Sequence, residues 1–475
     1  MKKKNILFCS SEVAPFSKTG GLADVAGALP KHIAKHENIT VLTPLYSDHI
    51  LKDYDTKPLG KRNFTMGCEK ITVNYHSFIK DNVNYVFIEH ESFKRETLYG
   101  FLDDNKRFFI FDYAILEYID FVNVKFDLLH LNDWQTGMVP FLLNNHYRQI
   151  PIYKDIKTLL TIHNLQFHGS FDKGTYRYTN LDFSYDYIHF DNFNFLKAGI
   201  LLSDAINTVS ETYKEEIQTE HFGYMLDGLL KERNKDLYGI LNGIDNDIYN
   251  PETDLNIDYN YNKNKFVTGK RNNKALFLKT YGLDQVTSIP LVAFVSRLAK
   301  QKGVDLMTST LEEVIAQSNA NFAILGSGDE VYENFFNYLA AKYPNRVFTY
   351  IGFSHKLAQK FYASSDIFMM PSEFEPCGLS QMIAMRYGSL PVVRETGGLK
   401  DTVIPYNKYT NEGDGFSFKN YNAHEFKNTL LKAIDLYNNN QTVFRILQSQ
   451  AMRKNFSLEV MGDKYLDLYN NIINK

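Results

Sequence analysis

One stretch of the sequence carries a strand, a loop and a helix start in succession: IFMMPSEFEPCGLSQMIAM, residues 367–385. The apolar run Ile367–Met370 is short and ends at a proline, as a buried strand does. Pro376 can occupy the first turn of a helix, where its missing N–H costs nothing. Leu379 and Ile383 then recur at the four-residue spacing of a buried helical face. The stretch therefore predicts a strand followed by a helix from Pro376, the unit from which α/β domains are built.

The same alternation extends outward from this stretch through both halves of the chain. Predicted strands of the first half are Asn5–Cys9, Ile39–Thr43, Phe126–Leu131, Thr158–Ile162, Ala205–Val209 and Leu237–Leu241. Predicted strands of the second half are Leu291–Val295, Phe322–Leu325, Val347–Ile351, Ile367–Met370 and Leu390–Val393. A helix is predicted at Leu22–Glu37, and helical segments separate most of the other strands. Two such runs predict two doubly wound, Rossmann-like α/β domains.

The length and the linker composition set the expected domain boundaries. A chain of 475 residues is too long for one compact core. Asn250–Lys270 is rich in Asn, Asp and Tyr, has no helical period, and contains Pro251 near its start. We therefore expect an N-terminal domain at 1–250 and a C-terminal domain at 251–456. Residues 457–475 are predicted as a final helix with an apolar stripe that must dock on another element.

The composition excludes several classes of protein. Hydrophobic residues make up 44% and charged residues 23%, with a net charge of −3. Nucleic-acid-binding and membrane-surface proteins usually carry a basic excess, and so neither kind of partner is expected. The apolar run near the start is too short for a secretory signal, and no run approaches the ~18 residues of a membrane span. Three cysteines fit neither a disulfide framework nor a zinc motif, which predicts a cytoplasmic location.

The loop after the first predicted strand is a candidate anion site. Ser17–Asp24 contains Lys18, Gly20 and Gly21 and opens a helix. Free backbone N–H groups, a helix dipole and a cation together suit an anion, although a structural turn explains the loop equally well. Its TGGLAD string returns as TGGLKD at Thr396–Asp401, again between a strand and a helix. The two glycines are expected to allow the same tight turn twice, with chance as the alternative.

Polar residues also end two further strands of the first half. Asp133 follows the strand Phe126–Leu131, and His163 and Asn164 follow Thr158–Ile162. Ligands of open α/β sheets gather at the carboxyl ends of strands, which makes these side chains candidates for a pocket floor. The alternative for each is a structural hydrogen bond.

In the second half, cations and a carboxylate follow two predicted strands. Arg297 and Lys302 lie between a strand and a helix, where they suit a diphosphate, with a solvated basic loop as the alternative. Cys377–Ser380 would present free N–H groups in the first turn of the helix predicted from Pro376. Glu375 stands beside them without an obvious partner. We expect such a carboxylate to grip sugar hydroxyls, because it would otherwise repel an anion bound there.

Together these motifs resemble those of bacterial glycogen synthases and plant starch synthases. In chain order they are KTGGLADV at 18–25, HN at 163–164, NGID at 242–245, SRL at 296–298, KG at 302–303 and EPCGL at 375–379. Each is short, but the ordered set is specific. The resemblance implies a GT-B fold, in which two Rossmann-like domains face each other across a cleft and the last helix returns to the N-terminal domain.

The resemblance also implies a reaction and its participants. Family members transfer glucose from ADP-glucose to the non-reducing 4-hydroxyl end of an α-1,4-glucan such as glycogen, retain the anomeric configuration, and need no metal or organic cofactor. The implied catalytic residues are Asp133, His163, Arg297, Lys302 and Glu375. The implied substrate-binding residues are Lys18, Gly20, Gly21, Asn164, Asn242, Phe353, Cys377, Gly378, Leu379 and Ser380.

At two positions this sequence has a different residue from the one that related transferases carry. Ile383 stands where other retaining transferases of this fold carry a second Glu, which narrows the resemblance to the glycogen and starch synthase branch. Phe353 stands where family members often have Tyr, so that the face expected to stack on adenine remains and the hydroxyl is lost.

Three other functions are alternatives to this one. The first is a UDP-glucose-using retaining transferase of the same fold, related to sucrose synthase. The second is a non-catalytic glucan-binding relative, which would have no need of the donor cations Lys18, Arg297 and Lys302. The third is an NAD-dependent dehydrogenase, but no GxGxxG follows a predicted strand. Two Asp-x-Asp strings, at 53–55 and 245–247, are too short to indicate a metal site.

Overall fold

The computed structural model describes residues 3–475 and separates into two compact units. The first unit is the chain up to Asn242 together with Leu458–Lys475, and the second is Gly243–Ser457. The division therefore falls shortly before residue 250, where the first predicted domain ends. Part of the predicted linker is helical, because the helix Phe266–Thr280 begins inside it.

The first unit is built on a nine-stranded sheet and a small three-stranded sheet. Its strands are β1 (Asn5–Cys9), β2 (Asn38–Pro44), β3 (Lys57–Met66), β4 (Glu69–Lys80), β5 (Val83–Glu89), β6 (Leu128–Asn132), β7 (Lys157–Ile162), β8 (Ser170–Phe171), β9 (Ile188–His189), β10 (Asn192–Asn194), β11 (Ala205–Thr208) and β12 (Leu237–Gly239). The large sheet has the order β12-β11-β7-β6-β1-β2-β5-β4-β3, and the small one β8-β10-β9. From β12 to β5 the strands are parallel, and β4 and β3 continue the edge antiparallel.

The helices that alternate with these strands along the chain cover the sheet. They are α1 (Gly21–Ile33), α2 (His49–Asp53), α3 (Asp104–Val122), α4 (Val139–Leu142), α5 (Phe195–Leu202), α6 (Glu211–Glu216) and α7 (Asp227–Glu232). Short 3₁₀ segments lie at Glu91–Phe93, Trp134–Thr136, Pro151–Tyr153, Lys173–Thr179, Tyr185–Tyr187 and Asn234–Asp236, and a π-helical turn at Leu143–Tyr147. The central strands β1 and β6 are almost wholly buried, as parallel strands covered by helices on both faces must be.

The second unit is a six-stranded, all-parallel sheet. Its strands are β13 (Leu291–Val295), β14 (Asn321–Gly326), β15 (Val347–Ile351), β16 (Ile367–Met370), β17 (Leu390–Arg394) and β18 (Phe416–Phe418), in the order β15-β14-β13-β16-β17-β18. Its helices are α8 (Phe266–Thr280), α9 (Val304–Gln317), α10 (Glu330–Lys342), α11 (His355–Ser364), α12 (Ser380–Arg386), α13 (Gly397–Thr402), α14 (Ala423–Asn439) and α15 (Gln441–Arg453), with a 3₁₀ turn at Lys300–Lys302. When these six strands are numbered by their order in the chain, they lie in the sheet in the order 3-2-1-4-5-6, which is the Rossmann order.

The last helix, α16 (Leu458–Ile473), belongs to the first unit, as predicted for the chain's return to the N-terminal domain. Its buried side chains Met461, Tyr465, Leu468, Tyr469 and Ile472 share one core with residues of α1 and of the central strands. Two hydrogen bonds fix its position, because the Tyr469 hydroxyl meets His130 Nδ1 at 2.6 Å and the Asn207 amide donates to the Tyr465 hydroxyl at 2.9 Å.

The predicted fold class is confirmed. The eleven predicted strands all form, but seven others were not predicted: β3, β4, β5, β8, β9, β10 and β18. The longest unpredicted feature is the hairpin β3–β4, in which β3 is mostly exposed and lacks an apolar pattern. The helix expected from Pro376 begins at Ser380 instead. Gly378 adopts φ +73°, and this left-handed residue separates Pro376 from the helix.

Within the described part of the chain, every helix is too short or too polar to cross a membrane.

Candidate active site

The candidate residues lie where the strand order of each sheet reverses. In the first unit the reversal is between β1 and β6, and in the second between β13 and β16. Ligands of doubly wound sheets bind outside the carboxyl ends of the strands at these points. Lys18 and Asp133 lie in the loops after β1 and β6, and Arg297 and Glu375 in the loops after β13 and β16. Each unit therefore presents its candidates at the place where this fold binds ligands.

A buried carboxylate organises the loop after β1. Glu12 is 4% exposed and accepts the backbone N–H of Thr19 and, at 3.3 Å, that of Gly20. The hydroxyl groups of Thr19 and Tyr99 donate to Glu12 at 2.6 and 2.9 Å. Two of the N–H groups expected to face an anion are thus occupied by the protein itself. The start of α1, from Gly21 onward, is the part of the loop left for a ligand.

Space over this helix start is open. A Cβ added at Gly20 or Gly21 would meet no atom within 4 Å, so neither glycine is required by packing. The Lys18 ammonium lies 2.6 Å from Asp24 Oδ1, and the two side chains are 40% and 32% exposed. A half-exposed cation beside an uncovered helix N-terminus fits the approach of a charged ligand.

In the same unit, the ends of β6 and β7 are tied together by side chains. The Asp133 carboxylate accepts the backbone N–H of His163 at 2.7 Å, and the His163 Nε2 meets Asn132 Oδ1 at 2.9 Å. The Asn132 amide in turn donates to the carbonyl of Cys9 at the end of β1. Asp133 has φ +57° and ψ −173°, a region that residues other than glycine rarely occupy. Such a conformation persists where the surroundings hold it, commonly at functional sites.

Burial sets the charge of both side chains. Loss of solvation lowers the pKa of His163 from 6.5 to about 3, and so its imidazole is neutral at physiological pH. Burial raises the pKa of Asp133 from 3.8 to about 7, against the lowering effect of the backbone N–H groups of His163 and Asn164. The pair therefore offers a neutral imidazole beside a carboxyl that titrates near neutrality.

The two asparagines predicted in the first unit differ in their surroundings. Asn164 Oδ1 accepts the backbone N–H of Gln166 at 3.0 Å, which closes a local turn. Asn242 is 5% exposed, and its Oδ1 has no hydrogen-bond partner among residues 3–475. A buried amide oxygen without a donor is unusual, and a ligand hydroxyl or amine could satisfy it.

In the second unit, a glycine allows the basic loop after β13 to pack closely on the loop after β16. Gly303 has φ +72°, and a Cβ there would lie 2.0 Å from the carbonyl oxygen of Pro371. The close approach brings Lys302 against the loop that follows β16. Arg297 is exposed, and its Nη2 donates to Gln301 at 3.4 Å. Its guanidinium is therefore accessible to a ligand.

Glu375 has a partner, contrary to the expectation from sequence. The Lys302 ammonium contacts both of its carboxylate oxygens, at 3.0 and 2.7 Å, and the Ser372 hydroxyl donates to Oε2 at 3.1 Å. The Lys302 and Glu375 side chains are 15% and 8% exposed. An ammonium carries three N–H donors, and the third finds no acceptor among residues 3–475. Lys302 can therefore hold Glu375 and still donate to a ligand.

Cys377 and Gly378 lie in a turn rather than in a helix. The Gln381 side-chain amide donates to the carbonyls of both residues, at 3.1 and 2.9 Å, which closes the turn ahead of α12. Leu379 is the N-cap residue and Ser380 the first helical residue. The predicted N–H groups of residues 377–380 therefore come from a turn and a short helix start.

The repeated TGG string serves packing in this unit. A Cβ on Gly397 would lie 2.1 Å from the carbonyl oxygen of Glu375, and one on Gly398 would lie 2.2 Å from that of Cys377. The N–H of Gly398 also donates to the Glu375 carbonyl at 3.1 Å. The glycines fix the backbone of the Glu375 loop, whereas Gly20 and Gly21 adjoin open space.

Aromatic surfaces are present in both units. Phe353, just after β15, is 80% exposed and is thus available for stacking. In the first unit a cavity of about 320 Å³ includes Phe101, Trp134, Phe167 and Phe171 among its walls. Trp134 directly follows Asp133 in sequence.

Sequence reasoning missed three residues that organise these sites. Glu12, Asn132 and Ser372 hold the β1 loop, His163 and Glu375 respectively. Each lies within three residues of a strand's carboxyl end, which is the signal that could have identified them. Residue type gives no signal for Asn132 and Ser372, because Asn and Ser are common in loops.

Comparison with known proteins identifies the family of the chain. The family profile of the starch synthase catalytic domain matches residues 5–232, and that of the glycosyl transferases group 1 matches residues 285–454. A glycogen synthase from Acholeplasma laidlawii is 53% identical over 98% of this chain and 99% of its own. A glycogen synthase from Bacillus anthracis is 45% identical over 99% and 100%.

A solved structure is similar along the whole chain. The catalytic domain of starch synthase IV from Arabidopsis thaliana, bound to ADP and acarbose, matches with a TM-score of 0.91 and 30% identity, covering 100% of both chains. With relatives this similar along their full length, the chain belongs to the family of bacterial glycogen synthases and plant starch synthases and is a glycosyltransferase.

Proposed function

We propose that the chain transfers glucose from ADP-glucose to the non-reducing 4-hydroxyl end of an α-1,4-glucan, with retention of the anomeric configuration. The observation that carries this proposal is the arrangement of Arg297 and the Lys302–Glu375 pair at the strand reversal of the second unit. The names of the relatives, and the ADP and acarbose of the starch synthase structure, support a nucleotide-sugar donor and a glucan acceptor.

The second unit is proposed to receive the leaving diphosphate. As the bond from the sugar C1 to the phosphate oxygen breaks, negative charge grows on that oxygen. The third donor of Lys302 and the exposed guanidinium of Arg297 can stabilise it, with N–H groups of Cys377, Gly378, Leu379 and Ser380 beside them. Fixed donors aimed at such charge contribute about 10² to 10³ in kcat. These cations would take the role that a metal has in other transferases.

Glu375 is proposed to have two roles in the same reaction. It positions the Lys302 ammonium through contacts to both carboxylate oxygens. An ionised carboxylate also has acceptor sites to spare, which can receive hydroxyl groups of the transferred glucose. No nucleophile is assigned, because retention is proposed to follow from delivery of the acceptor hydroxyl on the face from which the phosphate leaves.

The first unit is proposed to bind glucose and the acceptor. His163 acts there as a neutral hydrogen-bonding group, since its pKa is about 3. Asp133 and Asn164 fix the strand ends around it, and the strained backbone of Asp133 supports a functional role. Asn242, with its unsatisfied Oδ1, is proposed to contact the donor or its sugar.

The remaining predicted residues are proposed as donor contacts. Lys18, Gly20 and Gly21 present a cation and an uncovered helix start, which suits a phosphate. Phe353 is proposed to stack on the adenine, because its ring is exposed and follows a strand end. The proposed location is the cytoplasm, which the three cysteines outside any disulfide support.

The test is incorporation of labelled glucose into glycogen from ADP-glucose and from UDP-glucose, each with EDTA present. We expect incorporation from ADP-glucose and a product that α-amylase digests, as an α-1,4 linkage requires. Incorporation from UDP-glucose alone would favour the other donor, and glycogen binding without incorporation would indicate a non-catalytic relative. Loss of activity in EDTA that magnesium restores would refute the metal-free reaction.

Variants of the basic loop test the assignment of residues. Arg297→Ala should lower kcat by about 10² to 10³, with a smaller effect on KM. Lys300→Ala is the matched control, because this lysine is in the same loop and 64% exposed and lies 3.9 Å from Glu373. If Arg297→Ala keeps kcat within about threefold of wild type, as the control should, the basic loop is only solvated and the proposed leaving-group site is wrong.

A further inference from the structure

A cluster of two histidines and an aspartate lies apart from the residues assigned above. His32 is near the end of α1, His36 follows four residues later, and Asp463 is on α16. Their ligand atoms all lie within 4.8 Å of one another. Among residues 3–475 this is the one group of three or more His, Cys, Asp or Glu side chains with that property.

His32 is held in a fixed orientation. The residue is 6% exposed, and its Nε2 meets Asp463 Oδ1 at 2.9 Å. Its ring packs on Gly462, where an added Cβ would lie 2.1 Å from His32 Cδ2. Only glycine at position 462 leaves room for this ring. A ligand that is positioned before the metal arrives loses little entropy on binding it.

The second nitrogen of His32 leaves the ring free to change its tautomer. In the hydrogen bond to Asp463, the Nε2–H of His32 donates to the carboxylate. His32 Nδ1 is buried and has no hydrogen-bond partner in the described chain. No acceptor or donor at Nδ1 holds the ring in one tautomer, so the proton can move to Nδ1 when a metal ion replaces the direct contact with Asp463, which frees the Nε2 lone pair for the metal.

The other two side chains are exposed and can adjust. His36 lies with its ring centroid 5.5 Å from that of His32, and the Asp463 side chain is 69% exposed. His36 lies in the turn that follows α1, so that the site combines one helical and one turn histidine with a carboxylate. Two histidines and a carboxylate form a common zinc ligand set. Tetrahedral ligands around zinc lie about 3.3 Å apart, so that modest rotation of the two exposed side chains closes the site.

We propose that His32, His36 and Asp463 bind a divalent transition metal ion, with Zn²⁺ as the best match and water as the fourth ligand. Imidazole favours zinc over the hard cations magnesium and calcium. The ion would join the end of α1 to α16 and so fasten the last helix to the first unit. At a rise of about 1.5 Å per residue, His32 lies about 17 Å along α1 from Gly21, and the site is separate from the proposed donor contacts.

The test uses the full-length chain without an affinity tag, stripped with EDTA and exchanged into metal-free buffer. Calorimetric titration with ZnCl₂ should show one zinc per chain, and Co²⁺ should give the visible absorption of a tetrahedral site. Zinc should also slow hydrogen exchange in residues 458–473. Magnesium should produce none of these effects.

Variants locate the ion. Loss of an outer-sphere partner already weakens metal binding by about 10- to 100-fold, and so His36→Ala and Asp463→Asn should each weaken it by at least about 100-fold. Both positions are exposed, and the variants should fold. His49→Ala and Asp467→Asn, an exposed histidine in the same unit and an exposed aspartate one turn along α16, are the controls. No zinc binding by wild type, or equal binding by all variants, would overturn the proposal.

Discussion

Replacing Lys302 by alanine should destabilise the second unit as well as impair transfer. The substitution removes both contacts to a carboxylate that is only 8% exposed. Glu375 would keep the Ser372 hydroxyl as a donor at 3.1 Å, but its charge would have no cation beside it. A cation on a solvated loop could be removed without such a penalty. The ion pair therefore makes Lys302 a structural residue too.

The magnitude follows from the burial of the two partners. Breaking a buried ion pair by removing one side costs about 3–5 kcal/mol, because the other charge remains buried and uncompensated. Lys302 is 15% exposed, and water entering the space it leaves will solvate Glu375 in part. We therefore expect a loss of about 3 kcal/mol. Adding Glu375→Gln removes the uncompensated charge and should restore at least half of that loss.

Urea unfolding followed by far-UV circular dichroism measures this effect. The one tryptophan, Trp134, belongs to the first unit, and its fluorescence follows that unit separately. Lys300→Ala is the control, because its exposed pairing with Glu373 at 3.9 Å should contribute less than about 0.5 kcal/mol. If Lys302→Ala unfolds within about 0.5 kcal/mol of wild type, or the double variant is less stable than the single one, the assigned ion pair is wrong.

Three further outcomes are expected. Because burial raises the pKa of Asp133 from 3.8 to about 7, the native state holds a proton that the unfolded state has released between these values. The stability this carboxyl contributes is full below pH 3.8 and is lost on raising the pH to about 7, at about 1.4 kcal/mol per pH unit. Urea unfolding should show wild type losing stability against Asp133→Asn with that slope, whereas parallel pH curves would contradict the raised pKa. Gly398→Ala should lower the melting temperature through overpacking of about 1–3 kcal/mol, while Gly21→Ala, which meets open space, should leave it unchanged or higher; equal losses would refute the difference. Phe353→Leu should raise the KM for ADP-glucose about 5- to 150-fold, since base stacking contributes about 1–3 kcal/mol; a normal KM with a lower kcat would place the ring elsewhere than on adenine.

Most of the fold was predictable because its central strands are buried on both faces. Ile367–Met370 and Leu291–Val295 are continuous apolar runs, and both form strands with the predicted bounds. The hairpin Lys57–Met66 and Glu69–Lys80 was not predictable in this way, because its first strand is mostly exposed and has no apolar run. Exposed antiparallel strands depend on pairing with a neighbour, which a local pattern does not contain.

The candidate site residues could be named from the sequence, but their arrangement could not. Arg297, Lys302 and Glu375 each follow an apolar strand, and that position singled them out. Alternation of strands and helices does not say which strands are neighbours. The pairing of β13 with β16 places the loops after these two strands together and so makes the Lys302–Glu375 contact across 73 residues of chain.

The two TGG strings show why a motif alone does not define a site. Both precede a helix, yet one adjoins open space at Gly20 and Gly21, and the other packs its glycines against backbone carbonyls of the Glu375 loop. In the first case the missing side chains leave room for a ligand. In the second they bring Gly398 close enough to donate its N–H to the Glu375 carbonyl, which fixes the loop that carries the ion pair. The same two glycines thus adjoin open space in one string and hold a backbone loop in place in the other, and only the neighbours of each glycine distinguish the two.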